Sequence, residues 1–369
     1  KYPNLVDATA LVCPATAPAE ALSAYFGDFM WGFKTFFDPS IKGFGYSAGT
    51  DGYIEMQKDL GKFFAALAFL QANAVTGAWP STSSPAGKAL EAAKVPSRSA
   101  LVLVGLMAGV PMRSQHIDGA SAPTGLELSY PLAIAPAIAT IENGATVGLA
   151  EILLMHDGEG QTGGIVFDNT KTDYASRVDA ERDIYAVALS GGDATDKMLQ
   201  ILAAAPRVTG SASAIAKMKE LIGVKGQISK PTVLVTTESD QFTVAGAGQW
   251  LIDQYSAQFA AEKLAAISNY KATKSYVAPQ KKLLAIWDKT ANKYSKFTAA
   301  GSPDLTAPDG DGTGHCKYSS AQMLAVAKVA IGAASSGSFP QDGPLATAMR
   351  KVGFSYDRKF SVAPFKALQ

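Results

Sequence analysis

Residues 231–242 read PTVLVTTESDQF. Thr232 to Thr237 is a short β-branched run, which favours a strand over a helix. The polar residues Glu238-Ser239-Asp240 follow at once, so a carboxylate stands where the strand ends. Ala247 to Ile267 then has helical periodicity, Lys282 to Trp287 (KLLAIW) is a second apolar run, and Ser319 to Ala334 reads as a further helix. Strand, helix, strand, helix is the pattern of a parallel sheet with crossovers.

Upstream, Leu5 to Cys13 (LVDATALVC) is an apolar run stopped by Pro14 and reads as another buried strand. The chain between these strands has the periodicity of helices. Pro18 to Phe37 carries Tyr25, Phe26, Phe29, Trp31, Phe33, Phe36 and Phe37, and Tyr53 to Ala74 is amphipathic. Further helices are expected near 84–94, 97–109, 130–155, 173–190, 193–205 and 211–222. Nothing between Phe37 and Ile228 reads as a strand, and there is no internal repeat. Gly337 to Gln369 is rich in Pro, Gly and aromatics and reads as a tail wrapping the surface. The fold class is therefore α/β.

The 369 residues are 47% hydrophobic and 18% charged, which implies a sizeable core and no disorder. Formal charge is +1, from 33 basic and 32 acidic residues without a basic tract, so electrostatics give no reason to expect nucleic acid or an anionic membrane as partner. Tyr130 to Ile141, the longest apolar stretch, is broken by Pro131 and Pro136 and reads as too short to span a bilayer. No cofactor motif is present. The two cysteines, Cys13 and Cys316, suit either one long-range disulfide in an exported protein or two buried thiols in a cytosolic one. The composition leans towards secretion. No signal peptide is visible at Lys1-Tyr2-Pro3, so Lys1 reads as an interior position of a longer precursor.

In open α/β sheets the catalytic groups sit at the carboxyl ends of strands. Asp240 follows one strand, and Gly314-His315-Cys316 follows the next through a long loop. Acid then histidine is the second half of the Ser…Asp…His chain order. The Asp would orient the imidazole and stabilise its cation, and the His would take a serine proton. The plain alternative is that Asp240 only caps a helix. His116, in a polar loop, and His156, at a helix end, need no more than surface or capping roles. Asp309-Gly310-Asp311-Gly312-Thr313 looks like a calcium-loop fragment but lacks the terminal Glu of an EF-hand, so no metal site is expected.

Gly45-Tyr46-Ser47-Ala48-Gly49 matches G-x-S-x-G. The elbow that motif describes needs a strand before the serine and a helix after it. Asp38 to Phe44 contains Pro and polar residues and makes a poor strand. Thr50-Asp51-Gly52 reads as a turn before a helix starting near Tyr53. With 34 glycines in the chain a chance match is unsurprising, and Ser47 reads as a solvated loop residue.

The segments PTVLVTTESDQF and GTGHCKYSSAQMLAVAKV resemble the acid and histidine segments of secreted bacterial α/β-hydrolases with a large helical lid. LVDATALVCP, GGIVFDNTKTDYASRV and LAAAPRVTGSASAIAKMKELIGVKGQISKPTVLV resemble the same group, and the likeness covers most of residues 1–335. It implies a core strand in 1–14, a helical lid over 15–228, the rest of an α/β-hydrolase core over 229–336 and a surface tail over 337–369. It implies a serine hydrolase, most simply a carboxylic ester hydrolase, with Asp240 and His315 as triad acid and base. In that group a stretch like KYPNLVDATALVCP follows the elbow, which places the serine upstream of Lys1 on a companion segment or chain. On such a sheet Cys13 and Cys316 would both lie at the carboxyl end, and a bridge between them would stabilise by about 4–5 kcal/mol at most by chain-entropy reasoning. Phe26, Phe29, Trp31, Phe33, Phe63, Phe64, Met107 and Met112 would offer an apolar wall to a hydrophobic ester, small molecule or polymer. Two alternatives stand beside this: Ser47 as the nucleophile from a rearranged loop, and a non-catalytic hydrolase-like scaffold that buries its open sheet edge by assembly with itself or a partner.

Overall fold

The computed structural model describes residues 5–126, 130–340, 342–357 and 359–369. The reading of Lys1-Tyr2-Pro3 lies outside the described residues. Three strands are present among them: β1 (Thr9–Val12), β2 (Thr232–Thr237) and β3 (Leu283–Asp288). The first four helices are α1 (Ala19–Phe36), α2 (Gly49–Ala72), α3 (Pro85–Ala92) and α4 (Ser97–Ala108). A π-helical turn, Tyr130–Ile134, runs into α5 (Ala135–Thr162), followed by α6 (Tyr174–Arg182), α7 (Gly192–Ala204) and α8 (Ala212–Leu221). The last three are α9 (Ala245–Thr273), α10 (Ser320–Ser336) and α11 (Asp342–Arg350). The chain divides into two compact units. One is Lys1–Ala17, Val224–Thr290 and Asp311–Phe365; the other is Pro18–Gly223, Ala291–Gly310 and Lys366–Gln369.

The first is the sheet unit. Its strands are all parallel in the order β1-β2-β3, with Thr9 level with Thr232 and Thr232 level with Leu283. β2 is buried along its whole length, which is why it reads as a continuous apolar run rather than an alternating one. Its side chains alternate between two cores. Val233 and Val235 pack with Leu284, Ile286, Val326, Val329, Leu345 and Met349 on the α10–α11 side. Leu234 packs with Leu251, Tyr255 and Leu283 on the α9 side. A Cβ on Gly248 of α9 would come 2.7 Å from Thr236 Oγ1, so glycine there lets the helix close onto β2.

Several expectations are corrected here. The first strand is shorter than the run Leu5–Cys13: Leu5 and Val6 are 80% and 43% exposed. The Thr9 N–H donates to Pro231 O at 2.8 Å, and Pro231, having no N–H, cannot continue the ladder upstream. The tail is not a mere wrapping. It contains α11, whose Leu345 and Met349 enter the core, and Ser355 pairs with Trp287 through N–H···O bonds of 2.9 and 2.7 Å in the two directions.

The helical unit has no strand among its described residues. α5 packs against α1, α2 and α4, and α4 is buried on nearly every face. Pro131 and Pro136 do not break the apolar stretch as expected. They lie in the π turn and the first turn of α5, and the helical run continues through both. The resulting 33-residue helical run, Tyr130–Thr162, is long and apolar enough to cross a membrane by length and composition, and 67% of its most apolar window is buried inside the protein. The helix expected over 173–190 ends at Arg182 and continues as turns.

Phe33 and Phe63 meet edge to face at 4.9 Å, with Phe29 6.5 Å from Phe63. α5 admits these rings only because it is glycine at two positions. An added Cβ would lie 2.6 Å from the Phe29 ring at Gly144 and 2.2 Å from Phe63 Cζ at Gly148. Gly148→Ala gains about 1 kcal/mol of helix propensity, whereas overpacking costs about 1–3 kcal/mol. Phe63 is fully buried and has no room to withdraw, so the second effect wins. The variant is expected to unfold a few degrees lower by calorimetry, and an unchanged or raised Tm would show the packing to be looser than described.

Candidate functional site

The parallel strands of the sheet unit end together, as Val12 leads to Cys13, Thr237 to Glu238 and Asp288 to Lys289. Cys13 N–H still donates to Val235 O at 2.9 Å. Three loops therefore converge at one edge of the sheet, the position from which open α/β sheets present reactive groups.

Asp240 lies in the loop after β2 and is fully buried. It does not cap α9, whose N-cap residue Val244 receives no side-chain bond. Its Oδ1 accepts the N–H groups of Phe242 and Thr243 at 2.7 and 2.8 Å, and its Oδ2 accepts the Thr243 hydroxyl at 2.8 Å. These bonds fix the carboxylate with one face turned to His315. His315 Nδ1 lies 3.0 Å from Oδ2 and 3.3 Å from Oδ1, while Thr243 Oγ1 is 3.3 Å from the same nitrogen. An acceptor on Nδ1 puts the proton there and leaves the Nε2 lone pair outward, the tautomer a general base requires. The Phe242 ring sits 4.9 Å from the imidazole. Sequence reading missed Thr243; the available signal was a hydroxyl three residues after the acid, the spacing of a local side-chain turn.

The loop carrying His315 is stitched to the strand ends. Gly312 O accepts Ser239 N–H and the Thr290 hydroxyl, both at 3.0 Å, and the Ser239 and Thr290 hydroxyls lie 2.9 Å apart. Gly312 has φ of 67°, and a Cβ there would fall 2.3 Å from the Lys289 backbone, so only glycine fits. Asp288 is pushed up to about 6 by burial and the nearby Asp311 carboxylate.

Cys13 and Cys316 form a disulfide across 303 residues, with Cα atoms 5.7 Å apart. The bond ties the residue after His315 to the residue after β1, in keeping with an oxidising environment. Cys316 Sγ, 3.5 Å away, is the only group within hydrogen-bonding reach of Nε2 among the described residues, and no hydroxyl stands opposite that nitrogen. Cys13, His315 and Cys316 cluster closely enough to suggest a metal site, but both thiols are consumed by the disulfide. The hydrogen bond to Asp240 raises the His315 pKa above its ordinary value, against the opposing effect of partial burial.

Ser47 belongs to the helical unit and is held by a carboxylate rather than a base. Its N–H donates to Glu55 Oε2 at 2.8 Å and its hydroxyl to Glu55 Oε1 at 3.0 Å. No strand precedes it among the described residues after β1. Thr50-Asp51-Gly52 is not a turn, however: α2 starts at Gly49, and a Cβ on Gly52 would lie 1.8 Å from Ser47 O. The rest of this loop rests on acids, since Gly45 and Tyr46 N–H groups donate to Glu159 at 2.9 and 2.8 Å and Gly43 N–H to Asp59 at 2.9 Å. Beside them Glu151 is fully buried, with both oxygens lacking a partner. Burial pushes its pKa well above the ordinary value, an effect that Glu159 and Asp59 reinforce and Lys34 opposes.

Of the other histidines, His116 lies between Glu142 (3.4 Å) and Asp309 (3.7 Å), and His156 stands edge-on to Tyr46 at 5.8 Å. The apolar wall expected from Phe26, Phe29, Trp31, Phe33, Phe63, Met107 and Met112 is core of the helical unit, and only Phe64 of that set is exposed. Comparisons with protein-family models, with curated proteins and with solved structures returned no match.

His315 is expected to titrate above its ordinary 6.5 by NMR, so its contact with Asp240 stabilises the fold fully below that pH and fades as pH rises through the raised value. Asp240→Asn should bring the titration down to 6.5 or lower, and an unmoved midpoint would refute the coupling. Glu151, raised, behaves as the mirror of a paired acid: the fold loses stability as pH climbs above about 4.5, because the unfolded chain releases that proton first. Glu151→Gln should flatten this slope in pH-dependent denaturation; an unchanged slope would show that Glu151 is ionised in the fold.

Proposed function

We propose that this protein is a serine hydrolase acting on carboxylic esters, with His315 as general base and later general acid and Asp240 as its orienting acid. The observation that carries the reading is the buried, hydrogen-bonded Asp240 set on His315 Nδ1 while Nε2 faces away from it, at the meeting point of three strand ends. A triad needs such an order of groups, and Asp240 on Nδ1 is worth several orders of magnitude in rate where it holds the tautomer. The Cys13–Cys316 bond then serves to keep the base in place while it exchanges its proton.

In this reading the attacking serine comes from polypeptide outside these 369 residues. Two observations support that: no described hydroxyl stands opposite Nε2, and the outer edge of β1 carries no strand among the described residues. A strand added parallel to β1 would end beside Cys13, one disulfide away from the residue after His315. The serine Oγ would attack the ester carbonyl as Nε2 takes its proton, the same nitrogen would return it to the leaving alkoxide, and water would repeat the cycle on the acyl-enzyme. The helical unit would act as the lid. The same two observations also suit a scaffold that keeps acid and base without a nucleophile.

The test is ester hydrolysis by the intact protein together with fluorophosphonate labelling and peptide mapping. His315→Ala is expected to lower kcat by 10³-fold or more with little change in KM, and the label is expected on a serine outside this sequence. A label on Ser47 would move the nucleophile to the helical unit. No label and no turnover would leave the scaffold reading, and near-normal turnover by His315→Ala would dispose of the dyad.

A further inference from the structure

The helical unit holds an open groove of about 630 Å³ between α1, the start of α3 and the end of α7. Its lining is mostly apolar, with Trp31, Pro85, Ile201 and Ala204 among the contacts, and its only charged members are Lys34 and Arg207. No acidic side chain lines it. The size falls in the range of small-molecule sites, which combine apolar walls with a few placed polar groups.

Arg207 is placed like a ligand anchor rather than a structural cation. Its guanidinium lies 4.9 Å from the Trp31 ring centre and 4.7 Å from that of Tyr174. The indole is itself fixed, because Trp31 Nε1 donates to Pro206 O at 2.9 Å. The two rings stack on each other at 4.8 Å, and cation–π attraction to the pair holds the guanidinium without using its N–H donors. Its one hydrogen bond among the described residues is long, Nη1 to Asn169 O at 3.4 Å. The nearby buried acid, Asp28, is already bound by Arg177 and the Tyr174 hydroxyl. Arg207 thus has no carboxylate partner among the described residues, although it is the group best shaped to grip one in two-pronged fashion. The other cation, Lys34, is engaged elsewhere: its ammonium donates to Lys42 O at 2.5 Å, and burial lowers its pKa against the pull of Glu151 and Asp59.

We infer that this groove binds an amphiphilic monoanion, a carboxylate with an aliphatic chain, its head on Arg207 and its chain along Trp31, Ile201 and Ala204. A single permanently charged anchor in an apolar trough suits one carboxylate and a tail. It does not suit a polyphosphate, which needs several donors, or a sugar, which needs acceptors as well. The inference stands on the helical unit alone and is independent of the hydrolase reading.

Decanoate binding to the intact protein by isothermal titration calorimetry tests it, with decan-1-ol as the uncharged control. Saturable one-to-one binding of decanoate is expected, at least tenfold tighter than decan-1-ol. Arg207→Gln should remove most of that tenfold preference. Ala204→Trp, at an exposed position on the groove wall, fills the groove while keeping the Arg207 side chain and should abolish binding with circular dichroism unchanged. It decides the matter if the Arg207 variant does not fold. His315→Ala should bind decanoate as the parent does, which separates this groove from any acyl site at His315. Equal affinity for acid and alcohol, undiminished binding in Ala204→Trp, or loss of binding in His315→Ala would each overturn the proposal.

Discussion

A fully buried carboxylate with its bonds satisfied is the constraint on which the sheet unit is organised. Removing an ionised group from water is expensive unless donors replace the lost solvent. Asp240 has three such donors within its own loop, and His315 completes the set. The backbone must therefore hold 240–243 in one turn, and the loop from β3 must deliver an imidazole to one spot. The Gly312 crossing, the Ser239–Thr290 contact and the Cys13–Cys316 bond each remove a way in which that delivery could drift. None of them is needed to make three strands pair. They make sense as the means of holding one nitrogen against one carboxylate.

What was legible in the sequence follows from how each element is buried. β2 and β3 are buried along nearly their whole length, so β2 is mostly β-branched and β3 mostly large and apolar, and neither reads as surface chain. The cysteine pair and the acid–histidine order were legible for a related reason, since the carboxyl ends of parallel strands fall close together whatever lies between them in the chain. Leu5 and Val6 look equally strand-like, yet the ladder stops at Pro231 because a residue without an N–H cannot extend it. Helix α11 hides in a stretch whose Pro, Gly and aromatic content reads as tail, with Gly343 and Pro344 in its first turn. In a first turn neither is an obstacle, and the Leu345–Met349 spacing of four residues was the better guide. The glycines of α5 carry no signal at all in a single sequence. Their reason is a pair of phenylalanine rings from α1 and α2, which only tertiary packing brings to them.

The GFGYSAGTDGY stretch shows the limit of motif reading from both sides. The motif asks for a helix directly after the serine, and α2 supplies one, earlier than its Thr-Asp-Gly spelling suggests. The serine nonetheless bonds to Glu55. A carboxylate whose pKa is held low by Lys42 is a poor proton acceptor, so Ser47 gains no nucleophilicity from it. The glycines have a local purpose instead. Their N–H groups come close to Glu159 and Asp59, and Gly52 makes room for the Ser47 carbonyl. A pattern that in other surroundings exposes a nucleophile is used here to fold a loop over buried acids.

The two units place ionisable groups on opposite terms. In the sheet unit the acid at the centre is given donors, and the histidine beside it is made more basic. In the helical unit Glu151 is given none and its pKa is raised by burial, while Arg207 lies against two aromatic rings with donors left over. Paired charges that satisfy each other stabilise a fold and do little else. Groups set up with spare capacity, a lone pair on Nε2 or unused guanidinium N–H bonds, are retained against the pull of ordinary packing, because a side chain able to close on its neighbours gains by doing so. The proposed proton transfer would draw on the spare capacity at the strand-end junction, and the proposed anion site on the spare capacity in the apolar trough.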